Sequence, residues 1–312
     1  MTRKAIVTGG AGFIGSHLTE VLLDRDWEVL VVDDLSSGKM DNLAGARRRG
    51  AAVHVTDIRE PELVDLIGRF CPEVVFHLAA HAKVRPSMED PMHDAAVNVL
   101  GTLNVLGAAQ RSGARKVCFA SSGGAVYGEG ARMPVKETAA KIPASPYGIS
   151  KKIVEDYFRW YREVYGLEYS LLALANVYGP RQDAALEGGV IAIFAKAMLE
   201  GRRPVIFGDG NQTRDFVYVG DVCDAFARAA DAGDGLMMNI GTGSEITINK
   251  LYETMADLIG YAVRADHAPA KAGDVYRSVV DAGRAKKELG WEAWTDLKQG
   301  LTETIEWQRK AL

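Results

Sequence analysis

The chain has 312 residues, 47% hydrophobic and 25% charged, enough to bury a large core in one large domain or two modest ones, and this composition does not indicate disorder. A formal net charge of −4 gives no global attraction to nucleic acid or an anionic membrane, and the single basic run, Arg47-Arg48-Arg49, reads as a solvated helix end. Cys71, Cys118 and Cys223 are too far apart for a disulfide framework or a metal-binding spacing, so a reducing, cytoplasmic setting is expected and no metal.

The N-terminus opens directly into an apolar run, without the pattern of a secretion signal, and no stretch has the length of a transmembrane helix. Ala5–Thr8 reads as a buried strand, followed by a glycine-rich turn and a helix over 12–24. A second strand over 28–32 ends in Asp33-Asp34, and 53–55, 74–77 and 116–121 are further short apolar runs separated by helical patterns. This alternation predicts βαβ units: a Rossmann-type, doubly wound parallel α/β sheet. Helices are expected over 92–111 and 146–165. After residue 176, glycines and prolines suggest loops around a ligand, with strands over 216–219 and 237–240 returning to the sheet and helices over 248–260 and 297–309. The expected division is a dinucleotide-binding domain over 1–176, with returning segments near 213–242, and a smaller discontinuous α/β substrate domain over 177–212 and 243–312.

Thr8-Gly-Gly-Ala-Gly-Phe-Ile-Gly15 lies between the first strand and helix. Gly9 permits a tight turn, Gly12 lets backbone approach a pyrophosphate, and Gly15 allows close helix–strand packing, while the helix N-terminus offers N–H groups to phosphate. About 20 residues on, Asp33 or Asp34 can accept hydrogen bonds from ribose hydroxyls and repel a 2′-phosphate, which favours NAD over NADP. Asp57, before Ile58, is placed to hold the adenine amino group or else to cap a helix. Leu78-Ala79-Ala80 supplies small residues at the end of the fourth strand.

Tyr147 and Lys151 lie four residues apart and so on one face of a helix. A phenolate at neutral pH requires a downward shift of about three pKa units, or ~4 kcal/mol, and both a lysine ammonium and a nicotinamide cation push that way. Such a phenolate can take a proton from a sugar hydroxyl while hydride leaves the same carbon.

Together with Ser121–Gly128, Asn176–Gln182, Pro204–Asp221 and Leu289–Trp291, these motifs resemble the nucleotide-sugar epimerase/dehydratase family of extended short-chain dehydrogenases/reductases, which includes the UDP-glucose 4-epimerases. The resemblance implies retained NAD, a UDP-sugar substrate (UDP-glucose/galactose or a UDP-N-acetylhexosamine), 4-epimerisation through a 4-keto sugar, and a homodimer built on the helices over 92–111 and 146–165. It implies that Tyr147 is the general base and Lys151 its electrostatic partner and ribose ligand. Phe13 and Ile14 join Gly9, Gly12, Gly15, Asp33, Asp57, Ile58 and Leu78–Ala80 around the cofactor. For the substrate it implies Val84, Ser121, Ser122, Asn176, Val190, Val205, Phe207, Arg214 and Asp274, with Arg214 on a phosphate.

The usual spacing to Tyr127 would put the catalytic hydroxyl at Gly123, so Ser122 is expected in that role and Ser121 second. Lys271-Ala-Gly-Asp274 stands where Arg-Pro-Gly-Asp is common, Ala173 where Arg is, and His81 where Gln is. Ser278, near the position that closes the sugar pocket in the resembling epimerases, is small enough to admit an N-acetyl group, with Tyr276 or Arg277 the alternative occupant of that space. No acid follows Ser122, whereas the resembling dehydratases carry one there to eliminate water. Decarboxylation, dehydration or net oxidoreduction on the same scaffold is the alternative, and a non-catalytic NAD-binding protein a remote one.

Overall fold

A computed structural model describes residues 2–185, 189–270 and 275–312. In chain order the first part holds β1 (Lys4–Thr8), α1 (Phe13–Asp24), β2 (Glu28–Asp33), α2 (Ala44–Arg48), β3 (Ala52–Val55), α3 (Glu62–Phe70) and β4 (Val74–His77). Next come α4 (Val84–Glu89), α5 (Pro91–Ala95), α6 (Thr102–Arg111), β5 (Lys116–Ser122), α7 (Pro146–Tyr165), β6 (Glu168–Leu174) and β7 (Asn176–Tyr178). The remainder is α8 (Val190–Leu199), β8 (Val205–Phe207), β9 (Thr213–Arg214), β10 (Phe216–Tyr218), α9 (Val219–Ala229), β11 (Leu236–Ile240), β12 (Ile246–Thr247), α10 (Ile248–Ile259), β13 (Asp266–Ala268), β14 (Arg277–Ser278), α11 (Gly283–Leu289) and α12 (Leu297–Ala311).

Seven strands form one sheet in the order β11-β6-β5-β4-β1-β2-β3, and every pairing in it is parallel. Strands buried on both faces read as continuous apolar runs, and Val74-Val-Phe-His77 is buried throughout. One face packs Leu18 and Leu22 of α1, Val222 and Phe226 of α9 and Leu289 of α11 over Val7, Val31, Phe76 and Met238. The other packs Leu63, Leu106, Val154 and Phe158, from α3, α6 and α7, over Ile6, Val32, Val75 and Phe119. The strand order reverses between β1 and β4, so the crevice beyond their carboxyl ends is where a doubly wound sheet takes its ligand.

α7 has clear local causes. Ser145 accepts a hydrogen bond from the Gly148 N–H at 3.2 Å, Pro146 fills the first helical position, and Gly166 ends the helix at φ 71°. A third core joins α8, α10 and α12 through Ile191, Phe194, Leu251, Met255, Leu301 and Ile305, beside Tyr178 and Phe216.

The structure departs from expectation in four places. Residues 216–218 do not rejoin the main sheet; β10 pairs with β7 in a separate two-stranded sheet. The cause lies at Ala175, whose N–H still donates to Ile240 O at 2.8 Å, after which the chain leaves the edge strand. β6, unread as a strand, is the sheet's sixth member, an apolar run directly after the Gly166 stop. The rod expected over 92–111 contains a π turn over Ala96–Gly101. α11 and Trp291, expected with the smaller unit, pack in the first core, where Trp291 Nε1 donates to Asp221 O at 2.8 Å.

Candidate active site

The glycine-rich turn leaves no space for side chains. Gly9 has φ +69°, and a Cβ there would stand 2.6 Å from the Ala79 nitrogen. At Gly15 a Cβ would stand 2.1 Å from Gly9 O, so α1 lies directly against the turn. Gly12 is the extended N-cap of α1 and no side chain caps that helix, which leaves its first N–H groups, on Phe13 and Ile14, for a ligand.

Asp33 ends β2 beneath this turn. Its Oδ2 accepts from the Ala11 N–H at 2.9 Å and its Oδ1 from the Leu35 N–H at 2.8 Å. Burial pushes its carboxyl above the usual range, and those N–H groups oppose the shift. Asp34 is instead exposed and capped onto Ser36, so of the two acids it is Asp33 that faces the turn. Asp57 is held by Arg59, whose guanidinium keeps the carboxyl below its usual range. It does not cap α3, whose N-cap is Pro61. Ile58 is buried beside Gly101, and Leu78, Ala79 and Ala80 continue β4 past the Thr8 Oγ1–His77 Nδ1 hydrogen bond of 2.7 Å.

β5 delivers two serines to opposite faces. Ser122 faces the Tyr147 phenol and favours its ionised form. Ser121 is buried beside Ala173 in the β5–β6 register, and its Oγ has no partner among the described residues. Gly123 continues the ladder, its N–H donating to Leu174 O at 2.8 Å. A Cβ there would meet Val280 Cγ1 at 3.0 Å and Ala173 O at 3.1 Å, so the position left without a side chain is one the backbone occupies closely.

Lys151 Nζ donates to Ala120 O at 2.8 Å and stands 4.3 Å from the Phe119 ring centre and 5.8 Å from that of Tyr147. Without the cofactor, burial dominates and pushes Tyr147 up to about 12, with Ser122 opposing. Burial likewise brings Lys151 down to about 7, with Asp94 opposing.

Asp94, which the sequence reading passed over, is completely buried in α5. Its Oδ2 accepts from Ser150 Oγ at 2.7 Å, and its Oδ1 accepts from Asn98 Nδ2 at 2.9 Å and faces His81 Nδ1 at 3.4 Å. An acid four residues before Asn98, on a helix otherwise read only as a packing surface, was the available signal. His81 also meets His93 edge-on at 5.1 Å, yet no group of three His, Cys, Asp or Glu among the described residues is arranged to hold a metal.

The expected substrate contacts come from several elements. Asn176 opens β7 with its side chain exposed; Val84 and Val190 open α4 and α8; Val205 and Phe207 lie on β8. Arg214, half-buried on β9, donates from Nη1 to Thr213 O at 2.8 Å and sits opposite Ser278 in register. Asp215, next to Arg214, accepts from Thr242 and Gly243, and Asp221 from Thr295 and Trp294. Ser278 Oγ lies 3.9 Å from where a Gly124 Cβ would stand, in the loop after Ser122, whereas Arg277 pairs with Glu245. Asp274 and Lys271 lie outside the described residues.

With this geometry in hand, comparison with known proteins is decisive for the family. Residues 6–304 match the GDP-mannose 4,6 dehydratase family, a branch of the extended short-chain dehydrogenases/reductases. The chain belongs to this family. A UDP-glucose 4-epimerase of Mycolicibacterium smegmatis is 45% identical over 308 residues, covering 98% of each chain. Among solved structures, the UDP-glucose 4-epimerase of Thermotoga maritima with UDP-glucose superposes with a TM-score of 0.96 at 44% identity, covering 99% of both chains. The Thermus thermophilus UDP-glucose 4-epimerase in complex with NAD gives a TM-score of 0.93 at 40% identity, covering 99% of this chain and 100% of that one. Among the described residues, no helix is long and apolar enough to cross a membrane.

Proposed function

We propose that this protein is an NAD-dependent 4-epimerase of UDP-sugars. The observation that carries the reading is the Tyr147–Lys151 pair, one helical turn apart on α7, with Ser122 at the carboxyl end of β5 facing the phenol and glycines, not an acid, after it. The high identity to UDP-glucose 4-epimerases over nearly the whole chain supports it.

The residues fit the cofactor. Gly9 and Gly15 sit where a Cβ would collide with backbone, the start of α1 is uncapped, and Asp33 is anchored under the turn with its carboxylate available to ribose hydroxyls. Gly9–Gly15 would hold the pyrophosphate, Asp33 and Lys151 the riboses, Asp57 and Ile58 the adenine, and Leu78–Ala80 the flank. NAD would supply a reversible hydride acceptor at the sugar C4. Tyr147 takes the proton of the C4 hydroxyl as the C4–H bond gives up its hydride, which leaves a 4-keto sugar. Ser122 orients that hydroxyl and relays its hydrogen bond to the phenol. On return of the hydride that the cofactor would supply, Tyr147 would give the proton back to the C4 oxygen. The cationic cofactor and Lys151 must together overcome the burial that holds the phenol near 12 in the protein alone. No carboxylate follows Ser122 to eliminate water, which separates this site from a dehydratase.

Asn176 and Arg214 would hold the diphosphate, the latter with the paired N–H groups of its guanidinium. Val205 and Phe207 would flank the base, and Val84 and Val190 would line the sugar and nucleotide path. The functional division follows the cores: the seven-stranded sheet serves the cofactor, and the part around α8, α10 and α12 the nucleotide. A homodimer is part of this proposal. Ile149, Ile153, Trp160 and Val164 of α7, with Leu100 in the π turn, leave an exposed apolar face of the kind that a second copy would cover in a four-helix contact. Three unpaired cysteines suit a cytoplasmic location.

The test is incubation with UDP-glucose, UDP-galactose and UDP-N-acetylglucosamine, followed by NMR and mass spectrometry. An isobaric 4-epimer is expected without net NADH release, and Tyr147→Phe should lower turnover by about 10²–10⁴-fold while NAD stays bound. Loss of water or CO₂ from the sugar would replace this reading with dehydration or decarboxylation.

A further inference from the structure

A buried carboxylate needs compensating partners, because an unpaired charge out of water costs several kcal/mol. Asp94 is completely buried, and its compensation comes from three separate parts of the site. Ser150 Oγ, at 2.7 Å, lies on α7 between Tyr147 and Lys151. Asn98 Nδ2, at 2.9 Å, comes from the π turn, a distortion often found at functional sites. His81 Nδ1, at 3.4 Å, comes from the loop that continues Ala79-Ala80. Asn98 also ties that loop from both sides, accepting the His81 N–H at 2.9 Å and donating to His81 O at 3.1 Å. One carboxylate thus joins the helix of the Tyr–Lys pair to the segment that flanks the cofactor.

We infer that Asp94 is a positioning residue for the Tyr147–Lys151 pair, fixing α7 through Ser150 and acting as the buried counter-charge beneath the two groups. The inference rests on the proposed epimerase reading for the chemistry that the pair performs. The charged and titratable groups around it are few. On α7 these are Tyr147 and Lys151; on α5, His93; in the loop after β4, His81; and on β4, His77, which burial lowers to about 3 and so keeps neutral. Asp94 therefore supplies the negative charge in this set. Its field opposes the burial of Lys151 and adds to that of Tyr147, holding both pKa values up together. Removing the charge should lower both, so that the two limbs of the pH profile, set by the phenol and the ammonium, move in the same direction. A residue that serves packing alone would lower turnover without moving either limb.

The experiment compares Asp94→Asn and Asp94→Glu with the wild type as NAD-loaded holoenzymes. In Asp94→Asn both limbs of the kcat–pH profile should move to lower pH by about one unit. Asp94→Glu keeps the charge and should return the limbs to their wild-type places even where kcat stays reduced. Should Asp94→Asn fail to fold, Asp94→Ser, neutral and too small to crowd Asn98, carries the same comparison. The Tyr147 phenol is also titrated without turnover, as the near-ultraviolet phenolate signal lost on Tyr147→Phe in each background. That signal should move to lower pH by about one unit in the neutral variants. Limbs and phenol titration unmoved in the neutral variants would overturn the inference. A wild type that epimerises no UDP-sugar, yet whose phenol titration moves with the Asp94 charge, would overturn the epimerase reading and leave the placement of Asp94 standing.

Discussion

Gly15→Ala tests whether the start of α1 is held against the glycine turn as tightly as the backbone indicates. The new Cβ would stand 2.1 Å from Gly9 O and 2.7 Å from Gly10 Cα, whereas real Cβ atoms essentially never approach closer than 3.0 Å. Gly9 cannot retreat, since its own missing Cβ already points at Ala79 backbone from 2.6 Å. The start of α1 must therefore back away by about 1 Å, a strain of the overpacking kind that costs about 1–3 kcal/mol. Alanine's better helix propensity returns up to ~1 kcal/mol, so the net sign is destabilising. At roughly 2 °C per kcal/mol for a chain of this size, calorimetry should show Tm lower by a few degrees. The N–H groups of α1 move with the helix, and losing one charge-assisted hydrogen bond to the pyrophosphate weakens NAD by roughly tenfold or more. Gly68→Ala is the control, because nothing lies within 4 Å of a Cβ there, inside α3. It should raise stability by about 0.5–1 kcal/mol and leave NAD affinity unchanged. A Gly15→Ala protein that melts at or above the wild-type temperature and titrates NAD normally would refute the reasoning.

Asp33→Asn should weaken NAD by roughly tenfold and narrow the preference over NADP, measured by calorimetric titration with both cofactors, since the neutral side chain no longer repels a 2′-phosphate. Burial raises the Asp33 carboxyl, so the group favours the folded state as pH falls, while the ionised form that binds ribose is lost at a higher pH than for an exposed aspartate. NAD affinity should accordingly decline toward acid in the wild type and less so in Asp33→Asn; identical profiles would count against Asp33 as the ribose ligand. Ser278→Tyr, beside Gly124 in the loop after Ser122, should cut kcat/KM for UDP-N-acetylhexosamines by about tenfold or more relative to UDP-hexoses, by filling the space for the acetamido group. Equal losses on both substrates would place the acetamido group elsewhere. Trp160→Glu, on the exposed face of α7, should convert a dimer to monomer in light scattering, because it puts a charge into an apolar contact. A wild type that is monomeric at all concentrations would dismiss the interface.

Much of the glycine turn and its surroundings was legible in the chain because it is local. Glycines between a strand and a helix, an acid at the end of the next strand, and Tyr147 four residues before Lys151 each follow from backbone geometry and helical pitch, which short spacings encode. The parallel sheet was equally readable from apolar runs alternating with helical patterns, and β11 joined it as its sequence suggested. Choices between neighbours were not local. Asp33 and Asp34 are equivalent in sequence, and only the approach of Ala11 and Leu35 distinguishes them. Ser121 and Ser122 alternate across β5, and the register with β6 decides which one meets Tyr147. Burial, which depends on every element packed around a group, sets the Tyr147 phenol high in the protein without its cofactor. Asp94 was invisible for the same reason, since its three partners come from Asn98, Ser150 and His81, on segments that meet only in the fold. The sequence by itself determined most of the elements, the glycine turn and the Tyr147–Lys151 spacing, because these depend on contacts a few residues apart. Tertiary structure decided which side chain of each pair faces the site and what charge surrounds it, because dielectric and register are properties of the assembled chain.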